Sequence, residues 1–208
     1  MLGRIKPDKL QHYYQIIYQE TGRLTGIVNK ILNFSRIEEK KFKYSFVPIS
    51  LNELVEVIIE RYGYHLKDKD FVISVRLEPN LPLISGDKEA LFEVMVNLID
   101  NTIKYSKEDK FMDIETSSNN GNVSISVTDK GIGIPEAQQK YVFDKFFRVS
   151  DIEVQNIKGS GLGLSIVKNI VESHNGHISL TSNPGKGTTF KLVFPKITLM
   201  EDAQINVK

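Results

Sequence analysis

The sequence predicts an α+β fold in which helices cover one face of a sheet, with a long helix ahead of it. Three observations carry this reading. Apolar residues recur at helical spacing in four segments, short alternating strands fall between them, and no repeating strand–helix–strand unit orders the two.

The first helix is expected from about Pro7 to Lys41. Leu10, Ile17, Leu24 and Ile31 repeat every seven residues, and Tyr14, Thr21, Val28 and Ser35 lie four further on. Such a heptad seam keeps its apolar line facing a partner helix. A helix of this length spans about 50 Å at a rise of 1.5 Å per residue. It cannot bury its own stripe, so it calls for a partner helix in cis or in a dimer.

Phe42 to Ile49 reads as an extended connector containing Pro48. Ser50 followed by Glu53 is a capping box that opens a helix carrying Leu54, Val55, Ile58 and Ile59. Val72, Ser74 and Arg76 alternate with Ile73, Val75 and Leu77, the period of a strand. Asp87 to Lys104 is the next helix, with Leu91, Val94, Met95, Leu98 and Ile99 on its buried side. Asp113–Thr116 and Val123–Thr128 are strands joined by the turn-rich Ser117 to Asn122. Lys130 to Ser160 is glycine-bordered and irregular, as a functional lid would be. Leu162 to Ser173 is helical, with Gly176 placed as its C-cap. Two last strands, His177–Thr181 and Thr188–Phe194, flank the turn Pro184-Gly185-Lys186-Gly187.

Composition narrows the function. With 27 Lys+Arg against 26 Asp+Glu, the net charge of +1 gives no reason to expect nucleic acid or an anionic membrane as main partner. Absence of cysteine excludes disulfides, thiolate zinc sites and thiol nucleophiles. No run of about 20 apolar residues and no signal peptide is present, so the chain as given is expected to be soluble and cytoplasmic.

Three segments carry chemistry. Asn97, Asn101 and Lys104 share one helix face, offering neutral amide oxygens suited to an Mg²⁺ already held by phosphate, and a positive charge beside them. Asp129-Lys130-Gly131-Ile132-Gly133-Ile134-Pro135 follows a strand directly. Its carboxylate accepts from an exocyclic amino group, and its glycines let a flat ligand approach. Gly159-Ser160-Gly161-Leu162-Gly163-Leu164 opens a helix, whose unpaired first amides form a phosphate seat. No strand precedes it, as a dinucleotide fingerprint would require, and Gly185-Lys186-Gly187 is not a phosphate-binding P-loop, because Gly follows the Lys.

In this order and spacing the segments resemble the nucleotide-binding boxes of sensor histidine kinases, within the ATPase superfamily shared with DNA gyrase, heat-shock chaperones and mismatch-repair proteins. Asn97 to Ser106 is similar to the N box, and Asp129 to Pro135 to the first glycine box. Phe143-Asp144-Lys145-Phe146-Phe147-Arg148 looks like the phenylalanine box, Gly159 to Leu164 like the second glycine box, and Gly185 to Thr188 like a third. Upstream, Leu32-Asn33-Phe34-Ser35-Arg36-Ile37-Glu38 is similar to the end of the second helix of the dimerisation and phosphotransfer hairpin.

The resemblance implies a Bergerat-type two-layer α/β sandwich with a mixed sheet. Residues 1–41 would be the second hairpin helix, 42–195 the ATP-binding catalytic domain and 196–208 a tail or linker. Asn101 would coordinate Mg²⁺, with Asn97 supporting the metal and phosphates and Lys104 facing phosphate. Tyr105 would lie along the purine and Asp129 would accept from the adenine amino group. Gly131, Gly133 and Ile134 would shape the pocket. Gly161, Leu162 and Gly163 would present backbone amides to the phosphates, and Gly159, Ser160 and Leu164 would also belong to the ATP site. Thr188 would sit near adenine, Arg148 would reach the γ-phosphate, and Phe143, Phe146 and Phe147 would pack the lid down. Asn97, Lys104 and Arg148 are the catalytic candidates.

The superfamily's hydrolases carry Glu where this chain has Asn97, and Asn takes no proton at neutral pH. Transfer of the γ-phosphate to a protein side chain is therefore favoured over hydrolysis. The family's acceptor is a His followed by an acidic residue. His12 precedes Tyr13-Tyr14, and His65, His174 and His177 read as surface or turn residues of the ATP domain. No phosphoacceptor is expected in this chain; the acceptor helix, sensor and membrane anchor are expected upstream of Met1. Expected partners are a response-regulator receiver domain and, through the completed hairpin, a second copy; this chain alone would pair weakly or not at all. The alternatives are an anti-sigma-type serine kinase, against which the long heptad helix argues, and an ATP-binding pseudokinase scaffold, against which the intact boxes argue.

Overall fold

The protein is described by a computed structural model, which covers residues 43–149 and 159–197 and, of the N-terminal segment, 9–11, 13–18, 20–22, 24, 25 and 28. The chain divides into two units, Met1–Lys43 and Tyr44–Lys208. In the first unit the described residues from Lys9 to Val28 are helical, and the heptad residues Leu10, Ile17 and Leu24 are exposed. Ile31, Ser35, His12 and the Leu32–Glu38 ending lie outside the described residues, as does the tail beyond Ile197.

The second unit is built on a five-stranded mixed sheet. Its strands are β2 (Val72–Arg76), β4 (Phe111–Asn119), β5 (Asn122–Asp129), β6 (His177–Asn183) and β7 (Gly187–Pro195), in the order β2-β4-β5-β7-β6. β2 runs parallel to β4 and every other pairing is antiparallel. Helices α1 (Leu51–Asp68), α2 (Lys88–Tyr105) and α4 (Gly163–Ser173) form the second layer, and α3 (Glu136–Gln139) is one short turn. The expected α+β sandwich is therefore present.

Local chemistry explains the helix starts. Ser50 Oγ accepts from the Glu53 amide at 3.3 Å and opens α1, and Asp87 Oδ1 accepts from the Ala90 amide at 3.0 Å and opens α2. Leu91, Val94, Met95, Leu98 and Ile99 then bury one face of α2, against Ile166, Val167, Ile170 and Val171 of α4 and the inward residues of the sheet.

Three local features differ from the sequence reading. β4 and β5 extend to a two-residue turn at Asn120-Gly121, both at positive φ (48° and 81°), rather than ending six residues apart. This is the pairing that suits the right-handed twist of a hairpin. The left-handed residue after α4 is Asn175 (φ 54°), not Gly176; Gly176 is small because a methyl there would meet the Phe194 ring at 2.7 Å. A second sheet pairs β1 (Val47–Ile49) with β3 (Ile84–Gly86), three residues each and too short to show a period.

His174 is the fourth difference. It is buried rather than at the surface, while His65 and His177 are exposed. Its Nε2 accepts from the Asp87 amide at 2.9 Å and its Nδ1 donates to the Ile170 carbonyl at 2.7 Å, an arrangement that requires the neutral ring. Tyr44 and Phe46 pack their rings on it at 5.1 and 5.0 Å, and Asp87 Oδ2 accepts from the Ser45 amide at 2.8 Å. The connector before β1 is thus fastened to the start of α2 and the end of α4. Burial raises the Asp87 carboxyl, but amide bonds from Ala90, Ser45 and Glu89 outweigh it and hold its pKa below the ordinary value.

Burial also lowers the His174 pKa below its ordinary 6.5, against the opposing pull of Ile170 and Asp87. Below that pH the unfolded chain takes up a proton that the folded chain refuses, so stability falls with pH until the folded ring protonates as well. Urea unfolding between pH 7.5 and 5 should show this loss, and His174→Gln should flatten that part of the profile. Parallel profiles for the two proteins would refute the assignment.

Candidate functional site

Asp129 closes β5, and the antiparallel register sets it opposite Thr188 of β7. Its Oδ1 accepts from the Gly131 amide at 2.8 Å and the Thr188 amide at 3.2 Å. Burial nevertheless raises its pKa, with the two amide bonds pulling the other way. A buried carboxylate held on one oxygen, in the wall of a cleft, is poised to accept from a ligand donor.

The chain around Asp129 is threaded tightly. Gly133 (φ 69°) and Gly187 (φ 89°) both take left-handed backbone, and a methyl on either would overlap the backbone oxygen of Asn183 or Asp129, respectively. No other residue type fits there. The Ile132 amide donates to the Tyr105 carbonyl at 3.1 Å, and the Gly185 amide to the Ile132 carbonyl at 2.7 Å. These bonds tie the end of α2, the first glycine segment and the β6–β7 turn together.

The cleft beside them encloses about 580 Å³ of space, open solvent at its mouth included. Of the residues singled out from sequence, Asn101, Tyr105, Asp129, Gly133, Ile134, Arg148, Leu164 and Thr188 line it. Gly131 lies just beneath, against the Tyr105 carbonyl oxygen. Gly161 backs onto Phe146, whose amide donates to the Gly161 carbonyl at 3.1 Å. Ser160 Oγ accepts from the Leu162 amide at 3.4 Å, and a methyl added at Gly159 would meet no described atom within 4 Å. Leu162 is fully buried, and among the described residues no side chain caps the start of α4, an arrangement that suits an anion.

Depth separates the three residues on the α2 face. Asn97 is buried one turn behind the cleft lining; its Nδ2 donates to the Glu93 carbonyl at 2.9 Å and its Oδ1 lies beside Gly163. Asn101 is half-buried in the cleft wall, and Lys104 is exposed outside it. Phe147, Arg148 and Val149 line the cleft as well. Burial raises the Tyr105 pKa, and the Arg148 charge opposes this.

The aromatic segment divides. The Phe143 ring packs edge-on against Phe190 at 6.4 Å and Phe147 packs on Tyr141 at 5.7 Å, whereas Phe146 is 65% exposed at a φ of 61°. Among the described residues, Phe146 contributes its backbone to Gly161 rather than its ring to the packing. Residues 150–158 of the expected lid lie outside the described residues.

Ser182, Gln139, Val142 and Phe190 were not foreseen. Val142 and Phe190 are apolar walls of the cleft. Gln139 Nε2 donates to both the Ile134 and Ser182 carbonyls at 2.9 Å, fastening α3 to β6. Only the short distance from Ser182 to Pro184-Gly185 could have marked it, since a serine in an alternating strand is unremarkable.

Comparison with known proteins fits this geometry. The family model for histidine kinase-, DNA gyrase B-, and HSP90-like ATPases matches residues 86–198, from the end of β3 past the end of β7. Sensor protein RprX of Bacteroides fragilis is 35% identical over 191 residues, a match that covers 91% of this chain and 37% of RprX. The chain thus spans little more than a third of that relative. Among solved structures, the mycobacterial sensor histidine kinase MprB is similar with a TM-score of 0.63 and 27% identity, covering 74% of this chain and 100% of that one. Histidine kinase ThkA, solved in complex with response regulator protein TrrA, is similar with a TM-score of 0.74 and 25% identity, over 93% of this chain and 53% of that one. The matched residues are those that build the cleft, and they make up more than half of the sequence: this chain belongs to the histidine kinase-, DNA gyrase B-, and HSP90-like ATPase family.

Proposed function

We propose that this chain is the ATP-binding catalytic part of a two-component sensor histidine kinase. It transfers the γ-phosphate of ATP to a histidine on a dimerisation hairpin, for relay to an aspartate of a response-regulator receiver domain. The observation that carries the choice of kinase over hydrolase is the charge inventory of the cleft. Among its described lining residues the sole carboxylate is Asp129, engaged by the Gly131 and Thr188 amides, and no acid is placed to take a proton from water. RprX, named a sensor protein, and ThkA, solved with a response regulator, support the same reading.

The cleft suits ATP at both ends. Asp129 and Thr188, between the apolar side chains of Ile132, Ile134, Val142 and Phe190, suit a flat purine bearing an amino group. Asn101, Arg148 and the uncapped start of α4 at Leu164 suit a chain of phosphates. Among the described residues no three His, Asp or Glu side chains gather to hold a metal ion. A divalent ion here would be held mainly by phosphate oxygens, with the Asn101 amide completing its shell. Mg²⁺ bound in this way would neutralise phosphate charge. Asn97 would keep the α4 start in place through Gly163, and Arg148 would meet the charge that develops on the transferred group. Transfer then rests on positioning rather than on a strong base. Residues 1–41 would supply the second hairpin helix in this scheme, and 42–195 the catalytic domain. No described helix is long and apolar enough to cross a membrane.

Three measurements test the reading. Calorimetry with Mg-ATP should show affinity at least about tenfold weaker in Asn101→Ala and in Asp129→Asn, the loss expected for a hydrogen bond to a charged group, while circular dichroism stays unchanged. Unaltered affinity in both variants would sink the site.

Titration of ADP affinity against pH supplies the second measurement. The Asp129 pKa lies above its ordinary 3.8, so the acceptor is lost on acidification earlier than for a free aspartate. Affinity should fall as pH drops through that raised value, and Asp129→Asn should lack the inflection.

Finally, the whole protein incubated with γ-labelled ATP should accumulate acid-labile phosphate on histidine. Acid-stable phosphate on serine would point to the anti-sigma-type alternative.

A further inference from the structure

Ser182 is buried at the end of β6, and its hydroxyl touches three groups. The Ile134 amide donates to Ser182 Oγ at 2.9 Å, the Gly187 carbonyl oxygen lies 2.9 Å from it, and Thr188 Oγ1 lies 2.8 Å from it. Ser182 has one proton and two oxygens to which it can give it. If it gave the proton to Thr188, Ser182 Oγ and the Gly187 carbonyl would face each other at 2.9 Å with no hydrogen between them, a repulsive contact of lone pairs. The carbonyl can only accept. The allocation that satisfies all four groups runs from Thr188 to Ser182 to Gly187.

We infer that Ser182 is a specificity-determining positioning residue: by taking the Thr188 proton, it leaves Thr188 only lone pairs to offer the cleft, so the wall selects a purine with a 6-amino group over one with a 6-oxo group. The inference rests on the nucleotide reading above and names the residue that enforces its base preference. Asp129, opposite Thr188 in the ladder, is an acceptor when ionised, and its Oδ1 is already committed to the Gly131 and Thr188 amides. Both groups that frame this end of the cleft then ask for donors. A 6-amino group donates, whereas a 6-oxo group would place a third acceptor against two. Gln139 keeps the arrangement in register, because its amide nitrogen donates to the carbonyls of both Ile134 and Ser182 at 2.9 Å.

The test is the ratio of ADP to IDP affinity, two ligands that present opposite hydrogen-bond patterns at the 6-position edge. The unaltered protein should prefer ADP at least about a hundredfold. In Ser182→Ala the Thr188 proton is free to turn toward the ligand, and the preference should shrink at least about tenfold. Were Ser182 only a strut, both affinities would weaken together and the ratio would hold, which overturns the inference. Should Ser182→Ala fail to fold, Thr188→Val serves instead. Removing the acceptor should also shrink the preference, and an unchanged ratio overturns the inference equally. An unaltered protein that binds ADP and IDP alike defeats the relay alone, and one that binds neither defeats the nucleotide reading itself.

Discussion

The pairing of β5 with β7 is the constraint on which the cleft depends. Its ladder runs from Asn122 opposite Pro195 to Asp129 opposite Thr188, and the last rung is the site. What pins the register is the core. Val123, Ile125 and Val127 stand opposite Phe194, Leu192 and Phe190, and all six are buried. A slip of one residue would turn each of them toward solvent. The apolar pattern that stabilises the sheet therefore also fixes the position of the Asp129 carboxylate and the Thr188 hydroxyl.

Around that rung the protein spends conformational freedom. Gly133 and Gly187 sit where no side chain fits, and Asp129 carries a pKa raised by its burial. A domain selected for stability alone would keep neither a desolvated carboxylate nor left-handed backbone in its wall. Both are consistent with a flat ligand lying close to the main chain. The apolar neighbours Val142 and Phe190 belong to the same arrangement, since they exclude water from the acceptors and so sharpen their preference.

Much of this was legible in the sequence because it was written in periods and punctuation. The capping residues Ser50 and Asp87 mark two helix starts, alternation marks β2 and β5, and glycine clusters mark the threaded turns. Asn97, Asn101 and Lys104 fall on one helix face as their spacing requires. Spacing does not give depth, however, and the structure buries the first, half-buries the second and exposes the third. The roles of His174 and Ser182 were illegible for a similar reason. Their partners lie between 4 and 87 positions away in the chain, and a local pattern records none of the distant ones. The short β1–β3 pair leaves no period in the sequence, because three residues are too few to show alternation.

The Asn120-Gly121 turn lies at the opposite end of β5 from Asp129, eight residues away and about 25 Å along an extended strand. Asn119 and Asn122, on either side of it, are exposed, and the chain contains no cysteine. One cysteine introduced at Asn119 or Asn122 would thus be the only thiol in the molecule. A fluorophore attached there would sit at the far end of the very strand that carries the site, out of a ligand's reach, and would give ligand binding and global unfolding separable optical signals.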